Sequence, residues 1–298
     1  MPKPITVLVA GATGRQGGAV ARLLLERGHR VRALTRRPGS QAAAALHVLG
    51  AELFEADLDD EASVRAAAEG ADAFFLVATP FEEGVLAEAR QARRAADAAR
   101  KAGVRHLVYS SVASADHATG VPHFESKREV ERHVEALGVP YTIVAPAFFM
   151  ENLLGASVVE GLRAGTLSLP LAPERRLQMV AIADVAGLVR LALERPSELV
   201  GRRIDVASDA LTGPEIARAL SQATGSAIDY SAAPIDAVRS RSEDLALMWE
   251  WLDRAGSGVD LDALRRRWPE AGWHDFGRWT REQDWSVLDV ASPEQPTA

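Results

Sequence analysis

His123 and Lys127 stand four residues apart in the segment HFESK, and both side chains can take part in chemistry. An imidazole exchanges protons near neutral pH, so His123 could hydrogen-bond a substrate carbonyl or pass a proton to it. The ammonium of Lys127 donates hydrogen bonds to hydroxyl, carbonyl or carboxylate oxygens. Three interpretations follow from these residues: a catalytic pair, a ligand clamp without proton transfer, or an ordinary helix start.

The surrounding segment HFESKREVERHVEALG predicts a helix. Its core-facing stripe steps by four, three, four and three residues, through His123, Lys127, Val130, Val134 and Leu137. A lysine on this face needs a partner, because burying an unpaired ammonium is costly. The hydroxyls of a cofactor ribose would supply one. Alternatively, the stripe reaches solvent at the helix start and Lys127 pairs with Glu131 in the next turn.

Three glycines favour the cofactor. In VLVAGATGRQGGAVARLL, Gly11, Gly14 and Gly17 follow an apolar strand and begin a helix. Glycine lets the backbone turn tightly and approach a pyrophosphate, while the helix N-terminus offers N–H groups and a positive dipole end. The spacing is G-x-x-G-x-x-G, and a glycine triplet also occurs in turns that bind nothing. Its position between a strand and a helix favours dinucleotide binding.

Two arginines after the second strand bear on the choice of cofactor. The segment LTRRPGSQ contains Arg36 and Arg37, and no acid follows until Glu52. An NAD site usually has an acid here for the ribose 2′-hydroxyl, whereas a guanidinium can pair with a 2′-phosphate through two hydrogen bonds. The pair therefore favours NADP(H), although solvated arginines are common at strand ends. Arg15 either assists or points to solvent.

Two further strand ends supply candidate cofactor contacts. Asp57 could meet the adenine amino group, with Leu58 against the ring; the alternative is an acid cluster at a helix N-terminus. Ala78 and Thr79 would border the ribose, because small residues let the backbone approach a ligand closely.

The elements that would position these residues alternate along the chain. Short apolar runs predict strands in ITVLVA, HRVRALTRR, AELFEADL, ADAFFLVATP, VRHLVYSS and VPYTIVAPAFF, with helices between them. This alternation predicts a doubly wound parallel sheet with helices on both faces. Beyond Phe149 the rhythm loosens into ENLLGASVVEGLRAG as a helix, QMVAIADVAGLVRLALERP as a strand and helix, GRRIDVAS as a strand and TGPEIARALSQATG as a helix. Six tryptophans in the last part of the chain suggest a lobe packed on the sheet, but could equally line a pocket or a dimer contact.

Composition excludes several classes of protein. The 298 residues carry a formal net charge of -7, which argues against nucleic-acid binding through a broad basic face. There is no cysteine, which rules out disulfides and thiolate chemistry. The seven histidines are scattered and predict no metal site. No apolar run approaches the length of a membrane span and no signal-peptide pattern opens the sequence, so we expect a cytoplasmic protein with a disordered SPEQPTA tail.

Several motifs in order give the chain a family resemblance. The segments VLVAGATGRQGG, TRRP, HFESKREVE, PAFFMENLL and LRRRWPEAGWHDFGRWTREQDW together resemble the NmrA-like proteins, an atypical branch of the short-chain dehydrogenase/reductase superfamily. The resemblance implies an NADP(H)-binding Rossmann domain over residues 1–150. A small α+β substrate lobe would occupy most of 151–298, with some strands returning to the first sheet. Carried over by position, the implied cofactor contacts are Gly11, Thr13, Gly14, Gln16, Gly17, Arg36, Lys127, Phe148, Phe149 and Asn152, with Arg90 on the cofactor side.

The catalytic residues of that superfamily are only partly present. His123 stands where the catalytic Tyr is usual, and the usual Ser could be Ser110, Ser111 or Ser114. The resemblance thus leaves two main functions open. One is an oxidoreductase that reduces a quinone, enone or similar conjugated molecule by direct hydride transfer, with His123 or water giving the proton. The other is an NADP(H)-binding redox sensor that acts through a protein partner without turnover. A homodimer is compatible with both. A sugar-nucleotide epimerase or dehydratase is the least favoured function, because those chemistries depend on the Tyr.

Overall fold

The computed structural model describes residues 3–80 and 84–288. Within these ranges the strands are β1 Thr6–Val9, β2 Arg30–Thr35, β3 Glu52–Glu55, β4 Ala73–Leu76, β5 His106–Ser110, β6 Tyr141–Pro146, β7 Phe148–Phe149, β8 Thr166–Leu169, β9 Arg176–Val180, β10 Arg202–Val206, β11 Asp209–Thr212 and β12 Asp229–Ala232. The helices are α1 Arg15–Glu26, α2 Gln41–Val48, α3 Glu61–Ala68, α4 Val85–Lys101, α5 Pro122–Ala136, α6 Ala156–Arg163, α7 Ile182–Glu194, α8 Pro196–Leu199, α9 Gly213–Thr224, α10 Ile235–Arg239, α11 Glu243–Arg254, α12 Leu261–Arg267 and α13 Phe276–Glu282. Short 3-10 helices cover Met150–Leu154, Pro269–Ala271 and Trp285–Leu288. The SPEQPTA tail lies outside the described residues.

Seven parallel strands form the central sheet, in the order β10-β6-β5-β4-β1-β2-β3. Strand β1 pairs with β2 on one side and with β4 on the other, so Val7 lies between Val31 and Ala73. The strand order reverses between β1 and β4. In sheets of this type, ligands bind beyond the carboxyl ends of the strands at such a point. The predicted Rossmann-type α/β fold is confirmed.

Helices cover both faces of this sheet. Helices α1 and α7 pack together on one face, and α4 packs between α3 and α5 on the other. Leu8, Phe74 and Leu107 belong to the core beneath α3, α4 and α5 and are fully buried. Helix α4 adds a row of buried alanines to this core, Ala92, Ala95, Ala96 and Ala99. Small side chains let the backbone of α4 approach the sheet closely, so larger side chains on the same side of α4 are enclosed between the helix and the sheet.

The first compact unit comprises the chain to Ala147 together with Ile182–Ala207 and Gly258–Trp273. The second comprises Phe148–Ala181, Ser208–Ser257 and the residues from His274 onward. Strand β10 and helix α7, both beyond residue 150, thus belong to the first unit. None of the helices within residues 3–80 and 84–288 combines the length and the apolar character that crossing a membrane requires.

The second unit has a core of its own around two small sheets, β11-β9-β7 and β12-β8. Met150, Leu153, Phe276 and Trp279 are buried there, and the rings of Phe276 and Trp279 stack at 5.4 Å. Helix α9 starts with a capping box between Thr212 and Glu215 and ends at Gly225 in the left-handed conformation, φ 72°. Local sequence signals therefore fix both ends of α9.

Two of the predicted elements are divided in the structure. The single strand expected over VPYTIVAPAFF ends at Pro146, and Phe148–Phe149 pairs instead with β9 in the second unit. The helix expected over ENLLGASVVEGLRAG breaks at Gly155 into a 3-10 turn and α6. The first break falls where the chain passes into the second unit, and the second falls within that unit, at Gly155. An apolar run shows that a segment is buried but does not show which core buries it.

Candidate functional site

The glycine loop is a tight turn between β1 and α1. Gly11 has a φ of +59°, and its carbonyl oxygen accepts a hydrogen bond of 2.9 Å from the N–H of Gly14. A Cβ atom on Gly17 would lie 2.4 Å from the Gly11 carbonyl oxygen and 2.5 Å from that of Ala10. Only glycine at position 17 therefore lets α1 begin this close to the end of β1.

The start of α1 has the character of an anion site. Gly14 is the N-cap and offers no side chain to the first N–H groups, which have no acceptor within a helix. No acidic residue lies in the first turn, so no carboxylate of that turn offsets the positive end of the helix dipole. Thr13 and Arg15 are exposed beside the loop. The predicted phosphate contacts thus lie together at one helix N-terminus.

Gln16 connects the loop to β5. Its side-chain amide donates a 2.6 Å hydrogen bond to the hydroxyl oxygen of Ser110, the last residue of that strand. Ser111 is on the opposite side, where its hydroxyl donates to Glu131, and the N–H of Ser114 donates to Asp205 at 3.1 Å. Of the three candidate serines, Ser110 is the one in contact with the glycine loop. Alternation along the strand separates it from Ser111.

Arg36 and Arg37 follow β2 directly, and both are exposed. The N–H of Arg37 donates a 3.1 Å hydrogen bond to the hydroxyl of Thr35, which turns the chain at the end of the strand. Strand β2 is parallel to β1, so the arginines and the glycine loop leave the sheet at the same edge. An anion bound at the loop would meet positive charge on this side.

Asp57 takes part in a turn beyond β3. Its carboxylate accepts a 2.9 Å hydrogen bond from the N–H of Asp59, and the next acid, Asp60, caps α3. Leu58 is half-buried and packs against the core. Asp59 binds Arg90 at 2.9 Å, and hydrogen bonds from Arg90 and Gln91 lower the pKa of Asp59 to about 2. These acids accept hydrogen bonds within the turn, at the start of α3 and from α4, in agreement with the alternative interpretation of Asp57 as part of an acid cluster. A cofactor contact for Asp57 or for Arg90 stays a prediction.

Lys127 is buried at the carboxyl ends of β4 and β5. Its ammonium donates to the carbonyl oxygen of Ala78 at 2.8 Å and lies 3.4 Å from that of Ser110. It also lies 2.7 Å from a carboxylate oxygen of Glu88 and 5.5 Å from the centre of the Tyr109 ring. Glu88 was not predicted from the sequence. A signal was present, because Glu88 occupies the same stripe of α4 as the buried alanines.

The alternative partner, Glu131, is engaged elsewhere. Its carboxylate accepts hydrogen bonds of 3.1 Å from Arg203 and 2.9 Å from Arg128. The alternative pairing of Lys127 with Glu131 is therefore wrong, since Lys127 pairs across to α4 instead. A buried carboxylate on a neighbouring helix replaces the one a turn away on the same helix.

His123 is half-buried one turn before Lys127, and its ring meets that of Phe124 edge-on at 4.8 Å. Tyr109 is the phenol in contact with Lys127, yet it cannot replace the missing catalytic Tyr. It is fully buried, and this burial together with the charges of Glu88 and Glu131 raises the pKa of Tyr109 well above its ordinary value. Its hydroxyl therefore stays protonated within the core.

Three other predicted contacts are more exposed to solvent than Lys127. Thr79 is exposed beyond β4, next to the buried Ala78. Phe148 and Asn152 belong to the second unit, where the Phe148 ring lies 5.4 Å from that of Trp249 and Asn152 is exposed in the 3-10 turn. The roles of Phe148 and Asn152 rest on the family resemblance alone. Among the described residues, no group of three or more His, Asp and Glu is arranged to hold a metal ion.

Fold and loop together define a Rossmann-type protein with a tight glycine turn after its first strand. The model of the NmrA-like family matches residues 3–278, and the chain belongs to that family. It is 32% identical to an NAD(P)H azoreductase of Xenophilus azovorans over 77% of this chain and 78% of the azoreductase. It is 28% identical to an NmrA-like family domain-containing oxidoreductase of Penicillium ochrochloron over 97% and 93% of the two chains.

Solved structures show the same fold. The negative transcriptional regulator NmrA in complex with NADP superposes with a TM-score of 0.76 at 25% identity, over 94% of this chain and 95% of NmrA. An NADPH-dependent quinone oxidoreductase of Escherichia coli, complexed with NADPH, superposes with a TM-score of 0.76 at 24% identity, over 92% and 98% of the two chains. At that identity the second likeness concerns the fold alone.

Proposed function

We propose that this protein is an NADP(H)-dependent oxidoreductase that reduces a quinone, an enone or a similar conjugated small molecule. One observation supports this above all. The uncapped glycine loop, the arginines after β2 and the ammonium of Lys127 lie at the carboxyl ends of strands of one parallel sheet. The azoreductase relative supports the same class of reaction, since azo compounds are also conjugated electron acceptors.

The residues fit the cofactor by their chemistry. The loop would hold the pyrophosphate, through Gly11, Thr13, Gly14, Arg15, Gln16 and Gly17. Arg36 and Arg37 would pair with the 2′-phosphate, which a guanidinium binds through parallel hydrogen bonds. Asp57 and Leu58 would border the adenine, and Ala78 and Thr79 the ribose. Lys127, already held beside the carbonyl of Ala78, would donate to a ribose hydroxyl in exchange for its long, 3.4 Å contact with the carbonyl oxygen of Ser110.

The cofactor supplies a hydride from its nicotinamide when bound, and the protein supplies mainly position and charge. Lys127 holds positive charge near the strand ends. His123, on the preceding turn, is the side chain that would give a proton to the reduced substrate, and water is the other source. A conjugated acceptor suits this arrangement, because its reduced form spreads negative charge and needs no phenol beside the reacting carbon.

Two measurements test the proposal. Isothermal titration with NADPH and with NADH should show tighter binding of NADPH, and R36D/R37D should abolish that preference while leaving NADH affinity within about threefold. With 1,4-benzoquinone, cyclohexenone or methyl red present, NADPH should then be consumed faster in the presence of the protein than in its absence. Wild-type protein that gives no heat with millimolar NADPH would refute the proposal, and binding without accelerated consumption would refute the oxidoreductase part.

That last outcome is the result expected of a second candidate, an NADP(H)-binding sensor. Two observations favour it: His123 stands where a catalytic Tyr would be usual, and the chain is 25% identical to a transcriptional regulator solved with NADP. A sensor would bind NADPH without turnover and change its oligomeric state or its protein partner. Size-exclusion chromatography with and without NADPH, beside the turnover assay, separates the two functions.

A further inference from the structure

Glu88 is an acidic side chain enclosed in the core of the first unit. The residue is 1% exposed and lies on α4 among buried alanines. One carboxylate oxygen lies 2.7 Å from the Lys127 ammonium, and the other accepts a 3.1 Å hydrogen bond from the hydroxyl of Ser126. Both of these partners are on α5. The carboxylate is therefore directed at the helix that carries Lys127.

Stability alone does not account for this pair. Removing two charges from water costs several kcal/mol for each ion, and apolar residues of similar volume often replace a buried pair without loss of stability. The surroundings of Glu88 on α4 are alanines, which would accommodate an apolar side chain. A role for the position of Lys127 explains why the charges remain.

The geometry defines that position. The ammonium is placed by three oxygens, from the Glu88 side chain and from the carbonyls of Ala78 and Ser110. The two carbonyls are neutral, so Glu88 is the anion that compensates the buried charge. A lysine has a long, flexible side chain, and without this anion its ammonium would move toward water.

We propose that Glu88 is a positioning residue. Its carboxylate holds the Lys127 ammonium at the carboxyl ends of β4 and β5, and thereby sets cofactor affinity without touching the cofactor. Glu88 is too deeply buried to reach a ligand itself, so its influence passes through Lys127. This inference rests on the proposed function, because it assigns Lys127 to the cofactor.

A double-mutant cycle tests the coupling. E88Q keeps the shape of the side chain and removes its charge, and K127M removes the ammonium. We expect each to weaken NADPH binding about tenfold, as measured by isothermal titration. Because Glu88 acts through Lys127, E88Q/K127M should bind no more weakly than K127M alone. E88D, which keeps the charge on a shorter side chain, should recover part of the affinity.

Glu194 provides a matched control. It is also an acid of the first unit with a largely enclosed side chain, 6% exposed and 2.7 Å from Arg190, but it lies at the end of α7 beside His29, which precedes β2. It thus lies at the amino ends of the parallel strands, whereas Lys127 lies at their carboxyl ends. E194Q should lower the melting temperature, as breaking a buried pair does, and leave NADPH affinity unchanged.

The outcomes separate the inference from the function. If wild-type protein does not bind NADPH, both fail. If wild-type protein binds NADPH and the E88Q protein binds it equally well, this inference alone fails. It also fails if the E88Q substitution lowers NADPH affinity by the same factor in wild-type protein and in K127M. Should E88Q not fold, E88M/K127M replaces the pair with apolar side chains. Equal NADPH affinity for that protein and K127M supports the inference, and unequal affinity overturns it.

Discussion

Replacing Gly17 with alanine should distort the glycine loop more than replacing any other glycine of the loop with alanine. The added Cβ would lie 2.4 Å from the carbonyl oxygen of Gly11 and 2.5 Å from that of Ala10, whereas ordinary contact begins at 3.4 Å. Both obstacles are backbone atoms, so no side-chain rotation relieves them. The start of α1 must therefore move by about 1 Å from the end of β1.

The size of the effect follows from that displacement. Overpacking of a close contact costs about 1–3 kcal/mol of unfolding free energy. A shift of about 1 Å in groups that position a ligand costs about a hundredfold in function, and we expect NADPH affinity to fall by that order. Urea denaturation measures the first quantity and isothermal titration measures the second.

The control is G39A, between the arginine pair and α2. A Cβ there meets no described atom within 4 Å, so neither stability nor NADPH affinity should fall. If G17A matches wild type in both measurements, the close approach of α1 to β1 is refuted. If G17A unfolds more easily but binds NADPH normally, the loop geometry serves folding and the assignment of the phosphate site is wrong.

Three further predictions concern the same sheet. Burial lowers the pKa of His106 to about 4, so the unfolded chain binds its proton more readily; about 3 kcal/mol of stability should be lost as pH falls from 6.5 to 4, a loss that H106Q removes in pH-dependent urea denaturation. The Asp59 carboxylate has its pKa lowered to about 2, chiefly by a hydrogen bond from Arg90; D59N should thus be less stable than wild type at neutral pH, with the difference vanishing as pH falls from 3.8 toward 2. S110A removes the acceptor of the 2.6 Å bond from Gln16 and should weaken NADPH binding severalfold in the titration, whereas an unchanged affinity would show that this bond does not order the loop.

Much of the fold could be predicted from local patterns. The strands before α1, α4 and α5 are short apolar runs, and their alternation with helices led to the parallel sheet. The glycine loop was also predictable, because the positive φ at Gly11 and the close approach at Gly17 are properties of one continuous segment. The strand expected over VPYTIVAPAFF was only partly right, since its last residues pair with β9 in the second unit.

In the candidate site, too, sequence predicted some features and tertiary structure determined the others. Sequence placed Lys127 on a core-facing stripe, and the structure buries it. Sequence offered three serines, and only strand pairing determines that Ser110 meets Gln16. The sequence left two partners open for Lys127, a cofactor ribose or Glu131 a turn away, and Arg203 from the edge strand β10 occupies the carboxylate of Glu131.

The amino-acid sequence by itself determined which residues must be buried, where the chain must turn and which charges follow which strand. These are consequences of periodicity and of backbone freedom, which act over a few neighbouring residues. Only the tertiary structure decided that Glu88 meets Lys127, because α4 and α5 come together through packing on a shared sheet. A buried charge takes the partner that the fold brings within reach, and that choice depends on residues distant along the chain.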